Sequence, residues 1–425
     1  MDYIITDIGR LYGIDTENRL LRRGEEMSEF PYLENAWLHV KEGKIAGFGS
    51  MDEDCEPPQS EQVLNVHGAW LFPSFCDSHT HMVYAGSREG EFVDKIRGLS
   101  YEQIARRGGG ILNSADRLHA TSEDELYAEA MERVREVMAK GTGAVEIKSG
   151  YGLNTEDELK MLRVIRRIRE TSPMVVRSTF LGAHAVGRAY QGRQADYVEM
   201  LIRETIPEVG RQRLADFIDV FCDRGFFTPE ETSRLLEAGA EWGMRPKIHG
   251  QELADSGGVE VAVQHHALSV DHLESMTDRD ISLIQQSYSS PSRGGGRGLI
   301  PTALPGTSFF LNMPFAPARK IISAGLPLAI ASDYNPGSTP SGDMKFCVSL
   351  ACIKMRLLPS EAMNGATLNS AAAMGVSDEV GSIAVGKRAN FFMTDTLPSL
   401  DFLPYAYTTP LVRRVFLGGV EQPLA

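Results

Sequence analysis

The sequence has no run of 18 uninterrupted apolar residues, so no segment reads as a membrane span. It has no Cys-x-x-Cys pair either. The five cysteines (55, 76, 222, 347 and 352) are scattered and odd in number, which argues against a disulfide framework. Cys76, inside an apolar run, reads as a small buried residue. Positive charge is short: 43 Lys and Arg face 57 Asp and Glu, a net charge of -14, which argues against nucleic acid or anionic membrane as the main partner. The opening "MDYIITDIGRLYGI" has early acids and neither a basic stretch nor a long apolar core, so no signal peptide is expected and the expected location is cytoplasmic. No GxGxxG follows an early strand, which weighs against a dinucleotide-binding fold.

What is there is ordinary globular composition, 42% hydrophobic and 24% charged. A length of 425 residues suits two or three domains, or one large barrel with an appendage. The first 66 residues read as β, with "AWLHVKEGKIAGFGS" alternating around a Glu-Gly turn as a hairpin does. The last 50 return to that style in "GSIAVGKRANFFMTD" and "VRRVFLGGV". The expectation is a small β-sandwich-like domain built from both termini, residues 1–66 and 375–425, around a middle of 67–374.

That middle alternates. Eight strand-like runs, "LFPSFCDSHTH", "GAVEIKSGYG", "MVVRSTFLGAH", "DFIDVFCDRG", "RPKIHG", "ALSVDHLE", "IPTALPGTSFF" and "LAIASDYNPG", are separated by helical periodicity. "SEDELYAEAMERVREVMAKG" opens on a Ser cap with acids in its first turn, and "TEDELKMLRVIRRIRETS" opens the same way. Eight such units predict an α/β fold, a (β/α)8 TIM-type barrel, rather than an open sheet. "QQSYSSPSRGGGRG", 285–298, has no apolar period and reads as a loop between the sixth and seventh units. Its "SRGGGRG" lacks the Lys-Ser/Thr ending of a phosphate-binding P-loop.

Barrel chemistry gathers at the C-terminal strand ends. There the sequence places His79 and His81, Lys148 then Tyr151, His184, His249 then Glu252, His272, and Asp333 then Asn335. His79 and His81, two apart on a strand, project to one side. Five of the ten histidines fall at these ends, while His39, His67, His119, His265 and His266 lie in hairpins, helices or turns. Each position has a plain alternative: Lys148 pairing Glu146, Arg88 pairing Glu89 or Glu91, Asp333 as a turn residue.

HxH after the first strand, His after the fifth and sixth and Asp after the eighth resemble the amidohydrolase superfamily of metal-dependent hydrolases. The closer resemblance is to the imidazolonepropionase family, ring-opening hydrolases of histidine degradation. It is carried by "DSHTHMVYAGSRE", "GGGI" at 108–111, "VEIKSGYGLNTEDELKMLRVI", "FLGAH", "DVFCDRGFF", "IHGQEL", "DHLE", "LPGTSFFL" and "SDYNPGS", over about 65–375. The Ser/Gly/Arg-rich loop looks like an insertion relative to that family.

Imidazoles with one carboxylate suit Zn²⁺ or iron (Fe²⁺/Fe³⁺). With the resemblance, His79, His81, His249 and Asp333 are the expected ligands of one divalent ion per chain. Superfamily members with two metals bridge them by a carboxylated lysine on strand four, and "DVFCDRG" offers none. The ion would activate water. Glu252 and His272 would orient that water and take its proton, and Asp333 would carry a proton to the leaving nitrogen. The resemblance puts substrate contacts at Arg88, Tyr151, His184, Glu252, Asn335, Gly337 and Ser338. Arg88 is expected to grip the carboxylate of an anionic small molecule, and Gly337 to allow a close backbone approach. A homodimer is the family expectation. Two rivals share parts of this pattern: an aminohydrolase of purine or pyrimidine rings, which does not need Arg88, and a metal-free scaffold, which would have lost ligands.

Overall fold

The computed structural model describes residues 2–52, 57–60, 62–99, 103, 109–289 and 298–424. In chain order the strands are β1 (Asp2–Tyr12), β2 (Tyr32–Lys41), β3 (Lys44–Ser50), β4 (Val63–Asn65), β5 (Trp70–Pro73), β6 (Phe75–Thr80), β7 (Thr142–Lys148), β8 (Val175–Ala183), β9 (Phe217–Cys222), β10 (Arg245–Gly250), β11 (Ser269–His272), β12 (Ile300–Ala303), β13 (Ala329–Ile330), β14 (Phe391–Thr394), β15 (Val412–Leu417) and β16 (Val420–Gln422). β6 to β13 are the eight expected barrel strands, all parallel, each paired with its neighbour in chain order. Parallel strands buried on both faces are near-continuous apolar runs broken only where chemistry is needed; β7 and β9 are buried throughout.

The seam between β13 and β6 has little ladder. One bridge, Thr80 to Tyr334, is joined by backbone bonds from His81 N to Tyr334 O (2.9 Å) and Asp333 N to His79 O (3.0 Å). Side chains complete the closure: Asp77 accepts from the Ser332 backbone N–H (2.9 Å) and hydroxyl (2.5 Å).

The terminal strands form one sheet in the order β16-β15-β14-β5-β1-β2-β3, with β4 beside β1. The β2–β3 hairpin turns at Glu42 and Gly43 (φ 52° and 76°), as the Glu-Gly signal predicts. A Cβ on Gly43 would lie 3.1 Å from the Gly418 carbonyl, so the two ends of the sheet meet. They enclose a core including Ile5, Leu38, Leu71, Phe391 and Phe416. "LFPSFCDSHTH", read as one strand, is two. Trp70–Pro73 belongs to the terminal sheet, and the barrel starts at Phe75, beyond the expected boundary at 67. Pro73 lacks an N–H and marks the switch.

Three further expectations shift. The helix Glu123–Ala139 has its Ser122 cap, but the helix Thr155–Thr171 is capped by Asn154, one residue before the expected Thr. "IPTALPGTSFF" is a strand only to Ala303; Pro305 then opens a short helix, Pro305–Phe310. Residues 285–289 of the expected loop are the end of a helix, Asp278–Ser289, which Gln285 ties to the Ala324 carbonyl and Tyr288 to the Leu299 carbonyl. Residues 290–297 of that loop lie outside the described residues. Of the cysteines, 76, 222, 347 and 352 are free, and Cys55 is outside the described residues.

Candidate metal centre and substrate pocket

β6 runs into the barrel mouth with His79 as its penultimate residue, and His81 follows it; both are buried. Asp271 on β11 accepts from His79 Nδ1 at 2.7 Å, which leaves His79 Nε2 as a bare lone pair facing His81 Nε2 at 3.3 Å. Asp333 Oδ1 lies 3.6 Å from His79 Nε2 and 3.5 Å from His81 Nε2. Its other oxygen is occupied, accepting from Thr307 Oγ1 (2.5 Å) and Ser338 Oγ (3.2 Å). Asp333 adopts φ 57° three residues past β13. That sparsely populated backbone is of the kind found where a side chain must be aimed.

His249 on β10 packs its ring 4.4 Å from His79, with Asp219 Oδ2 of β9 3.0 Å from its Nδ1. Its Nε2 is buried with no hydrogen-bond partner among the described residues, and its Nδ1 meets Asp219 at ion-pair distance without hydrogen-bond alignment. Two triads of potential ligand atoms share His79: His79, His81 and Asp333, and His79, His249 and His272, each within 4.8 Å. A lone pair on His79 Nε2 facing a second imidazole nitrogen and a carboxylate oxygen, beside buried ring nitrogens of His81 and His249 without hydrogen-bond partners among the described residues, is an arrangement that a cation would satisfy. Burial holds His79 and His81 well below the ordinary histidine range, so both are neutral donors. The donor set fits a divalent transition ion.

Glu252, just past β10, and Glu274 flank His272, at 3.6 Å from Nε2 and 3.7 Å from Nδ1. Burial pushes the Glu252 carboxyl up to about 7. Burial also opposes charging of His272, but Glu252 and Glu274 outweigh it and raise the imidazole to about 10.

The mouth opens into a cavity of about 930 Å³ that Arg88, Tyr151, His184, Glu252, Asn335 and Gly337 help to line. Gly150, at φ 110°, turns the chain after β7 and offers its carbonyl to His184 Nδ1 at 3.0 Å. Burial takes His184 down to about 3, so its Nε2 is an acceptor. Buried Glu158 accepts from the backbone N–H groups of Gly152 (2.7 Å) and Leu153 (3.0 Å) and so holds the loop that carries Tyr151. Asn335 Oδ1 accepts from the N–H groups of Gly337 and Ser338, both 2.8 Å. The close approach at Gly337 is to Arg88, whose Nη1 occupies the space a Cβ would need. Arg88 Nε and Nη2 donate to Glu91 at 2.9 and 2.5 Å, the plain alternative for that residue; the side chain is nonetheless mostly buried and lines the cavity. The residues expected to bind metal or substrate or to move protons therefore gather at this mouth.

Lys148 is not at the mouth. It lies below it, donating to Glu146 (2.6 Å) and Asp219 (2.8 Å), so the plain alternative holds there and it is unavailable to bridge two ions. Unanticipated were Asp219, Asp271, Thr307, Glu158 and Lys247. Acidic residues inside otherwise apolar strands, as in "DFIDVFC" and "SVDH", were the available signal.

Residues 70–420 match the model of the Amidohydrolase family. The chain is 50% identical over 419 residues to an imidazolonepropionase of Christiangramia forsetii, covering 99% of each chain. It is 49% identical over 396 residues to one of Flavobacterium johnsoniae, covering 93% of this chain and 94% of that one. Among solved structures, an adenosine deaminase from Xanthomonas campestris with bound zinc superposes with TM-score 0.66 at 17% identity, covering 99% of this chain and 92% of the other. A guanine deaminase from C. acetobutylicum gives 0.68 at 14%, covering 99% and 100%. At these identities the structural likeness shows the fold alone.

Proposed function

The chain belongs to the amidohydrolase family, hydrolases of carbon–nitrogen bonds, and we propose that it opens the ring of 4-imidazolone-5-propanoate to give N-formimidoyl-L-glutamate. The observation that carries the reading is one cavity lined by both an imidazole–carboxylate cluster and Arg88. The identity to curated imidazolonepropionases over nearly the whole chain supports it. A neutral purine or pyrimidine offers no carboxylate for that guanidinium to grip.

His79, His81, His249 and Asp333 would hold one Zn²⁺ or iron ion, with His272 next to it. Such an ion supplies a Lewis acid and lowers the pKa of water toward about 7. The side chains supply the rest. Glu252, carboxylate and carboxylic acid in comparable amounts near pH 7, takes the attacking water's proton, and His272 beside it orients that water. Asp333, fixed through one oxygen by Thr307 and Ser338, carries a proton to the departing ring nitrogen. Arg88 binds the propanoate, using Nη1 and whatever Glu91 relinquishes. His184 Nε2 accepts from a ring N–H, Tyr151 packs on the ring, and the Asn335–Ser338 loop closes the far side.

The test is turnover of imidazolonepropionate, followed as loss of the ring chromophore. Chelation should abolish it, and zinc or iron should restore it with about one ion per chain. Metal-independent turnover, or two ions per chain, would overturn this mechanism.

A further inference from the structure

Beneath the mouth lies a lattice of five charged side chains, all fully buried: Glu146 and Lys148 on β7, Asp219 on β9, Lys247 on β10 and Asp271 on β11. Structure alone rarely justifies such a group, because removing ions from water costs more than their pairing returns unless geometry is good. The geometry here converges on one ammonium. Asp219 Oδ2, the oxygen 3.0 Å from His249 Nδ1, accepts from Lys148 Nζ at 2.8 Å. Asp271 Oδ2, the oxygen 2.7 Å from His79 Nδ1, is 3.7 Å from the same Nζ. Glu146 Oε1 pins Lys148 from the third side at 2.6 Å. Lys247 is placed differently. It bonds Glu146 and the Ser78 carbonyl (3.2 Å), and is 3.9 Å from Asp271 Oδ2.

We infer that Lys148 is a positioning residue that favours the Nδ1–H tautomer of His79 and His249 before any ion arrives, by holding Asp219 Oδ2 through a hydrogen bond and Asp271 Oδ2 through an ionic contact, the oxygens that the two imidazoles face. An ammonium has donors only, so Asp219, its hydrogen-bond partner, is held as an acceptor, and its positive charge 3.7 Å from Asp271 favours the carboxylate there, leaving each histidine to supply the proton. Both Nε2 lone pairs then point at the ion site without rearrangement, which raises affinity for the ion.

This rests on the metal reading above, and the test separates the two. Zinc affinity is measured by chelator competition on wild type, Lys148→Gln/Glu146→Gln and Lys247→Gln/Glu146→Gln. Each double variant removes one ammonium and one carboxylate, so lattice charge is conserved and only the surviving lysine differs. The Lys148 double variant is expected to bind zinc about 10–100-fold more weakly than wild type, and the Lys247 double variant distinctly less so. Equal affinities in the two double variants would overturn the inference. Nitrogen-15 NMR of the metal-stripped wild type is decisive even if a variant does not fold. Bare Nε2 with protonated Nδ1 on both histidines is expected, and Nε2–H on either overturns the inference. Wild type that binds no zinc or iron would instead sink the metal reading.

Discussion

The two ends of the cavity are built differently. At the metal end, His79, His249 and His272 project from barrel strands; Asp219, on the strand next to that of His249, faces His249, and Asp271, on a strand not adjacent to β6, faces His79. At the tail end, Arg88 caps the helix Glu89–Ile96, held by Glu91, against a loop stitched by Asn335. The one is rigid because parallel-strand register sets its distances; the other is held by hydrogen bonds within short segments. Rigid placement suits an ion with fixed bond lengths, and an adaptable clamp suits a flexible propanoate chain.

That contrast can be broken by substitution. The largest effect is expected at the metal end: Glu252→Gln should lower kcat by about 10²–10⁴-fold with little change in KM. The same residue sets a pH signature. With its carboxyl near 7, the base form grows as pH rises, so kcat/KM should climb through about pH 7 and that limb should vanish in Glu252→Gln. A profile flat through neutrality in wild type would assign the proton elsewhere. Next is the tail end, where Arg88→Ala should weaken substrate binding by about 2–5 kcal/mol. That loss should register in KM and leave bound metal untouched; an unchanged KM would return Arg88 to a purely structural pairing with Glu91. Thr307→Val removes a hydrogen bond to Asp333 and should cost about 10–100-fold in metal affinity, read by chelator competition. The smallest effect is expected from Gly337→Ala, whose methyl meets Arg88 Nη1. It should raise KM by no more than about tenfold, since displacing a side chain costs about 1 kcal/mol.

The same contrast explains what could be read from the chain. Apolar runs marked all eight barrel strands, and the rule that barrel chemistry lies at strand ends brought His79, His81, His249, His272 and Asp333 together. Asp333 lies beyond a two-residue strand, so only its "SDYNPG" context revealed it. Partners that meet only in three dimensions were hidden. Nothing local to "DFIDVFC" links Asp219 to His249, 30 residues on, and Asp271 meets His79 from 192 residues away. Helix ends depended on single capping atoms, which is why Asn154 displaced Thr155, and the polar last turn of Asp278–Ser289 has no apolar period to betray it.

The thin seam between the last barrel strand and the first has a consequence for how the molecule comes apart. Asp333 sits on one lip of that seam and His79 and His81 on the other, so an ion between them would rivet the cylinder shut. Loss of the ion should let the barrel unzip there first. In the stripped protein the backbone amides of Asp333 and His81 should exchange with solvent well before those of β9, on the opposite wall.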